Sequence, residues 1–306
     1  MSCGSTRASS DSSGNTSGRK GHRSGLEPMS EAQTTAKSLK VRLTLYGLCL
    51  LCGFSVFAIS FVSPELSIGS GALIALFFLA AWASNRSSRF RTYWKVPFAF
   101  FVFSLVWFTR HTILDSALVQ PFYKTLNGNV MAQLIDSAVV IIPIVLLTLA
   151  SRDKLSSIFL QRGNLKLGLI VGLIVFMLFF LVSGVVAVQF AGMSPGGFLL
   201  LTPYLLVLAL ANGFKEELWF RGLFLNKYEP LLGVRLSNFL QAPIFAASLI
   251  EGEFASALVG IILVSFVLGL GLGYLMRRTG SIVGPSLCEA GSVIPIFLIV
   301  ISSLKL

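Results

Sequence analysis

The chain has 306 residues, of which 55% are apolar and 12% charged, against about 45–50% and about 25% in ordinary soluble domains, and that composition excludes a water-soluble fold. A formal net charge of +11 raises nucleic acid as a partner. The basic residues fall between long apolar segments, in the manner of cytoplasmic membrane loops, so no nucleic-acid partner is expected.

The first 42 residues are a separate material. The stretch "MSCGSTRASSDSSGNTSGRKGHRSG" is rich in Ser and Gly and offers almost nothing to bury, so residues 1–42 are expected to form a disordered basic cytoplasmic tail. The tail lacks the apolar region of a signal peptide, and Met29 offers an alternative start. Residues 43–306 are expected to be the membrane domain. Nine hydrophobic segments follow in order: 43–62, 68–83, 96–109, 130–150, 167–190, 198–214, 237–250, 255–274 and 282–304. A spanning helix needs about 20 apolar residues, so the fold class is all-α, a polytopic transmembrane helical bundle of about 8–9 spans. The third and seventh segments are short and read as tilted, partial or re-entrant.

All of the 24 basic residues except Arg110, Lys124 and Lys305 lie in the tail and the alternate loops around Arg91, Arg162, Lys227 and Arg277. That alternation predicts a cytoplasmic N-terminus, nine crossings and an exterior C-terminus. Cys49 and Cys52, one turn apart in the first segment, read as small buried residues, while Cys3 and Cys288 are isolated. The two histidines, His22 in the tail and His111 in a predicted exterior loop, supply no zinc-ligand spacing with cysteine. Neither a metal nor another cofactor is expected.

Ionisable groups inside apolar segments are costly in a bilayer and are kept for a pathway, a pair or chemistry. Asp136, one turn after Gln133, reads as a satisfied polar group near the exterior end of the fourth segment. Glu251 and Glu253 read as loop carboxylates. Glu289 interrupts "GPSLCEAGSVIPIFLIV" with no basic residue nearby, so it must find a partner on another helix or be protonated. The richest stretch is "KEELWFRGLF", residues 215–224. A helix continuing through it places Glu217 and Arg221 four apart on one face, where they can pair. Glu216 is then rotated by about 100°, without that partner and beside a second carboxylate, a setting that suits a general base acting on water. The bland alternative is that the charges only mark the cytoplasmic end of a span.

Glu216, Glu217, Leu218, Trp219, Phe220, Arg221 and Gly222 reproduce a Glu-Glu-x-x-x-Arg-Gly motif. "LSNFLQAPIFAASL", a small-residue span, "RRTGSIVGPSLCEA" and a final apolar helix follow in order. In this the chain resembles the CPBP intramembrane proteases, which include CAAX prenyl proteases and bacteriocin-processing proteins, over a core of roughly residues 198–304. The resemblance implies a helical bundle around a polar chamber in which Glu216 activates water for peptide hydrolysis, with Glu217 supporting it through Arg221. It also implies a second motif, Phe-x-x-x-His, and a third, His-x-x-x-Asn, which orient water and stabilise the oxyanion. Phe245 matches; Leu249, Glu289 and Val293 stand where His, His and Asn are expected.

Three functions therefore remain open at the level of sequence. The first is a family member with weak or lost protease activity that binds peptide or protein segments. The second is an active endopeptidase using Glu216 and Glu217 with Glu289. The third is a transporter-like protein in which the carboxylates relay protons or cations. The expected partners are membrane lipids and a peptide or membrane-protein substrate; the oligomeric state is left unassigned.

Overall fold

The computed structural model describes residues 27–62, 67–190, 192–249 and 258–303. The chain divides into two units, Met1–Val41 and Arg42–Leu306. In the first, helix α1 (Glu27–Val62) begins within the stretch expected to be tail. "EPMSEAQTTAKSLK" is rich in good helix formers and carries Pro in its first turn, which favours that earlier start.

The second unit holds the rest of α1 and eight further helices: α2 (Ser67–Arg86), α3 (Lys95–Leu114), α4 (Leu126–Ala150), α5 (Leu165–Gln189), α6 (Pro195–Glu216), α7 (Leu225–Ser248), α8 (Leu258–Thr279) and α9 (Val283–Ser303). No strand occurs among the described residues. The chain is a multi-pass membrane protein: eight of these helices, all but α7, are long and apolar enough to cross a bilayer. Several starts are set by side chains that satisfy otherwise orphaned amides. Thr125 accepts from the Gly128 N–H at 3.1 Å, Asn164 from Leu167 at 3.1 Å and Ser194 from Gly197 at 3.0 Å. The third segment, short by sequence, extends to Leu114. His111 therefore lies in the last turn of α3, not in a loop, with its ring 4.6 Å from that of Trp107.

Helix α7 departs most from its sequence reading. It starts at Leu225, well before residue 237, and bends at Gly233, whose φ of 77° lies in the left-handed region open to glycine. It fails as an apolar span because it carries Asn226, Lys227, Glu229, Arg235, Asn238 and Gln241. Two of these bind the neighbouring helix: Gln241 donates to the Gly269 carbonyl at 2.8 Å and Asn238 to that of Leu270 at 3.0 Å. Helices α7 and α8 thus form an antiparallel hairpin, closed at its base by Arg277 donating to Glu229 and to Ser237.

The same base meets the α4–α5 connection, where the Asn164 N–H donates to Thr279 at 2.6 Å and that of Ile282 to Phe159 at 3.2 Å. Asn226 donates to the Ser157 carbonyl at 3.0 Å, and Lys95 pairs with Asp153. One end of the bundle therefore gathers Lys95, Arg162, Lys227 and Arg277. Helix α9 leaves that end, and its Leu298 and Ile301 pack with Phe198 and Leu201 near the start of α6, at the other.

Two kinds of packing hold the second unit. Phe103 of α3 lies at the centre of an aromatic cluster, with ring centroids 5.7 Å from Phe57 and Trp219, 5.9 Å from Phe220 and 5.3 Å from Phe224. Around α9 the contact is backbone to backbone, as in membrane bundles whose helices meet through small residues. A Cβ on Gly284 would stand 2.8 Å from Gly168 Cα, and one on Gly213 would run into the Ser286 carbonyl and the Ala290 backbone. Gly213 thereby brings α9, which carries Glu289, against the end of α6, which carries Glu216.

Candidate functional site

The segment after α6 does not continue as an α-helix. Glu217–Gly222 forms a π-helical turn, in which the Leu223 N–H reaches five residues back to the Leu218 carbonyl at 2.9 Å. Such widened turns recur at functional sites. Trp219 and Phe220 point into the aromatic cluster around Phe103, which fixes the turn from outside. Inside it Arg221 Nη1 donates to Glu217 Oε1, and both side chains are fully buried. The pairing anticipated from the four-residue spacing is present, in a wider turn than the sequence suggested. The Arg221 guanidinium also lies 4.2 Å above the Phe245 ring centroid, a cation–π contact that gives the family phenylalanine a role without its histidine.

Glu216, one residue earlier, is half-buried. Glu289 is 2% exposed. Its carboxyl faces Glu216, Glu217 and Arg221, and Ser292 Oγ of the same helix donates to its Oε1 at 3.5 Å. The sequence left Glu289 to find its partner on another helix; what faces it there is two carboxyls and the Arg221 guanidinium. Several polar atoms have no hydrogen-bond partner within the protein: Glu217 Oε2, Glu289 Oε2, Arg221 Nε and Nη2, Gln241 Oε1 and Ser286 Oγ. Buried polar groups are costly unless bonded, so this cluster is suited to a polar guest.

Of the replaced motif positions, Leu249 and Val293 are apolar in identity, and Val293 is apolar in its surroundings as well. Val293 belongs to the cluster of Leu205, Leu208 and Ala209 that joins α9 to α6. Leu249 caps the end of α7, one turn past Phe245. Glu251 and Glu253 lie outside the described residues. Cys288, beside Glu217 and Glu289, forms part of the wall of an apolar cavity of about 650 Å³ bounded by Val171 and Val175 of α5 and Leu268 and Leu272 of α8.

One element of the site was misread from the sequence. Asp136 is not an interfacial group but a buried carboxylate holding two cations: Lys215 Nζ at 2.6 Å and Arg110 Nε at 2.7 Å. Lys215 is 3% exposed and is no loop charge. Gln133 and Ser137 of α4 add contacts to Asn212 and the Ala211 carbonyl of α6. The triad therefore anchors α4 and α3 to the residue immediately before Glu216. The available signal was the position of Lys215, which follows an apolar helix directly and so lies within reach of an intramembrane acid.

Residues 198–292 match the family model for type II CAAX prenyl endopeptidase, Rce1-like. This segment belongs to the CPBP intramembrane protease family. Within the CPBP segment lie both glutamates of the first motif, Arg221, Phe245 and Glu289, and the match ends just before Val293. No curated protein and no solved structure matches the chain.

Proposed function

We propose that this protein keeps the CPBP chamber as a binding site for a peptide or membrane-protein segment while its hydrolytic activity is weak or lost. The observation that carries this reading is Glu289, buried and facing Glu216 at a position where the family uses histidine. A carboxylate is acceptor-only when ionised and opposes a developing oxyanion. Arg221, the cation facing it, already shares its charge with Glu217 and Phe245. The unpartnered atoms of Glu217, Arg221 and Glu289 supply acceptors and donors for peptide amide groups.

One observation favours a second reading. Two carboxyls sharing one proton are a competent acid–base pair, the ionised member activating water and the protonated one donating to the carbonyl. On that reading Glu216 and Glu289 form the dyad of an active endopeptidase. Purified protein in nanodiscs, incubated with quenched-fluorescent peptides and with photo-crosslinking peptides, separates the two. Peptide capture without cleavage is expected. Cleavage lost in both Glu216→Gln and Glu289→Gln would establish the dyad in its place.

Basic residues at one end of the bundle support a cytoplasmic location for that end and for the N-terminus, with an exterior C-terminus. A tag after Leu306 is expected to be accessible to antibody on intact cells or spheroplasts; a protected tag would reverse the orientation or remove one crossing.

A further inference from the structure

A second polar enclosure lies at the basic end of the bundle, in contact with none of the motif residues. It is a cavity of about 240 Å³ lined by Thr92, Tyr93, Lys95, Asp153, Asn226 and Lys227, among others. Lys227 is 6% exposed, and its Nζ has no hydrogen-bond partner within the protein; nor does the buried Ser157 Oγ in the same wall. The one carboxylate there, Asp153, already accepts from Lys95 at 2.5 Å. Two lysines and one aspartate leave a single positive charge without a counterion, and that charge sits on the buried amine. An uncompensated buried cation is strongly unfavourable, whereas Lys227, Ser157 and Lys95 form a set of donors that suits an anion with several oxygens.

We propose that this cavity binds a phosphate group, carried either by a membrane lipid headgroup or by a soluble phosphate. Charge and size favour this class: a phosphate presents several acceptor oxygens to donors arriving from α3, the α4–α5 connection and α7. Burial holds the Lys227 amine down at about 8; Asp153 pulls it up and Lys95 pushes it further down. Without ligand the unfolded chain holds more protons than the folded one between pH about 8 and the ordinary lysine value of 10.5, so stability rises with pH through that window. A bound phosphate favours the charged amine, so its stabilising effect is largest below pH 8 and fades above it.

The test is thermal unfolding of the full chain, in detergent with inorganic phosphate and in phosphatidylcholine nanodiscs with or without phosphatidic acid. Sodium chloride of equal ionic strength serves as control. Wild type is expected to show a saturable rise in midpoint at pH 7 that shrinks at pH 9.5. Lys227→Met is expected to start from a higher midpoint, because the uncompensated charge is gone, and to lose the response. Asp153→Asn, with the opposing carboxylate removed, is expected to respond at lower phosphate. A Lys227-dependent shift with phosphatidic acid alone assigns the group to a lipid, and one with free phosphate assigns it to a soluble ligand. No shift with either probe, or an equal shift in Lys227→Met, overturns the proposal.

Discussion

Replacing Leu249 and Glu289 with His and Val293 with Asn is expected to raise peptide hydrolysis by about 100-fold or more over wild type, since a single oxyanion donor is typically worth about 100- to 1000-fold in rate. Glu289→His carries most of the expected gain. It removes the carboxyl that meets Glu216 and puts a neutral donor beside the presumptive base, while the Glu217–Arg221 pair and its Phe245 lid stay as they are. Leu249→His adds a polar group one turn past Phe245. Val293→Asn is the expensive change: it buries an amide in the apolar seam with Leu205 and Leu208, at about 1–3 kcal/mol if unpaired. The double variant without it is therefore the companion measurement, made with the same fluorogenic peptides. Adding Glu216→Gln should return either variant to background. Strong wild-type cleavage that vanishes with Glu216→Gln would refute the weak-activity reading and favour the carboxyl dyad.

The second large effect concerns stability. Arg221→Leu leaves Glu217 fully buried without its cation, and Asp136→Leu leaves Lys215 and Arg110 without their shared anion. Removing one partner of a buried pair costs about 3–5 kcal/mol, so both variants should unfold at markedly lower temperature in mixed micelles. Replacing both partners with apolar residues, Glu217→Leu with Arg221→Leu, should recover much of the loss, because the cost lies in the orphaned charge rather than in the missing bond. Glu216→Gln should unfold near the wild-type midpoint, its side chain being half-buried and an amide relieving the repulsion among neighbouring carboxyls. Equal losses in Glu216→Gln and Arg221→Leu would contradict this division of roles.

Eight of the nine segments were legible as spans because their apolar runs are long, and the Glu217–Arg221 pair was legible because its spacing is local. What escaped depended on distant partners. Asp136, Lys215 and Arg110 looked like boundary charges when each was counted within its own loop, and only the packing of α3, α4 and α6 reveals one buried triad. Helix α7 was cut short because Asn226, Lys227, Glu229 and Arg235 read as a loop, although Asn226 donates to the Ser157 carbonyl and Glu229 accepts from Arg277. The π-turn leaves no mark in "ELWFRG", whose residues are equally at home in an α-helix. It is selected by where Trp219 and Phe220 must sit to meet Phe103.

The glycine contacts along α9 bear on the direction of traffic. Gly284 seats α9 on α5, and Gly213 seats it on α6, at backbone contact. At these two points no side chain stands between the helices to swing aside, so they part only if whole helices separate. Helices α5 and α8 instead face each other across the apolar cavity whose wall includes Cys288, the neighbour of Glu217 and Glu289. On the proposed binding role, this cavity would give a guest bound for the carboxyls a sideways route out of the lipid, and so would select for cargo that is already dissolved in the bilayer.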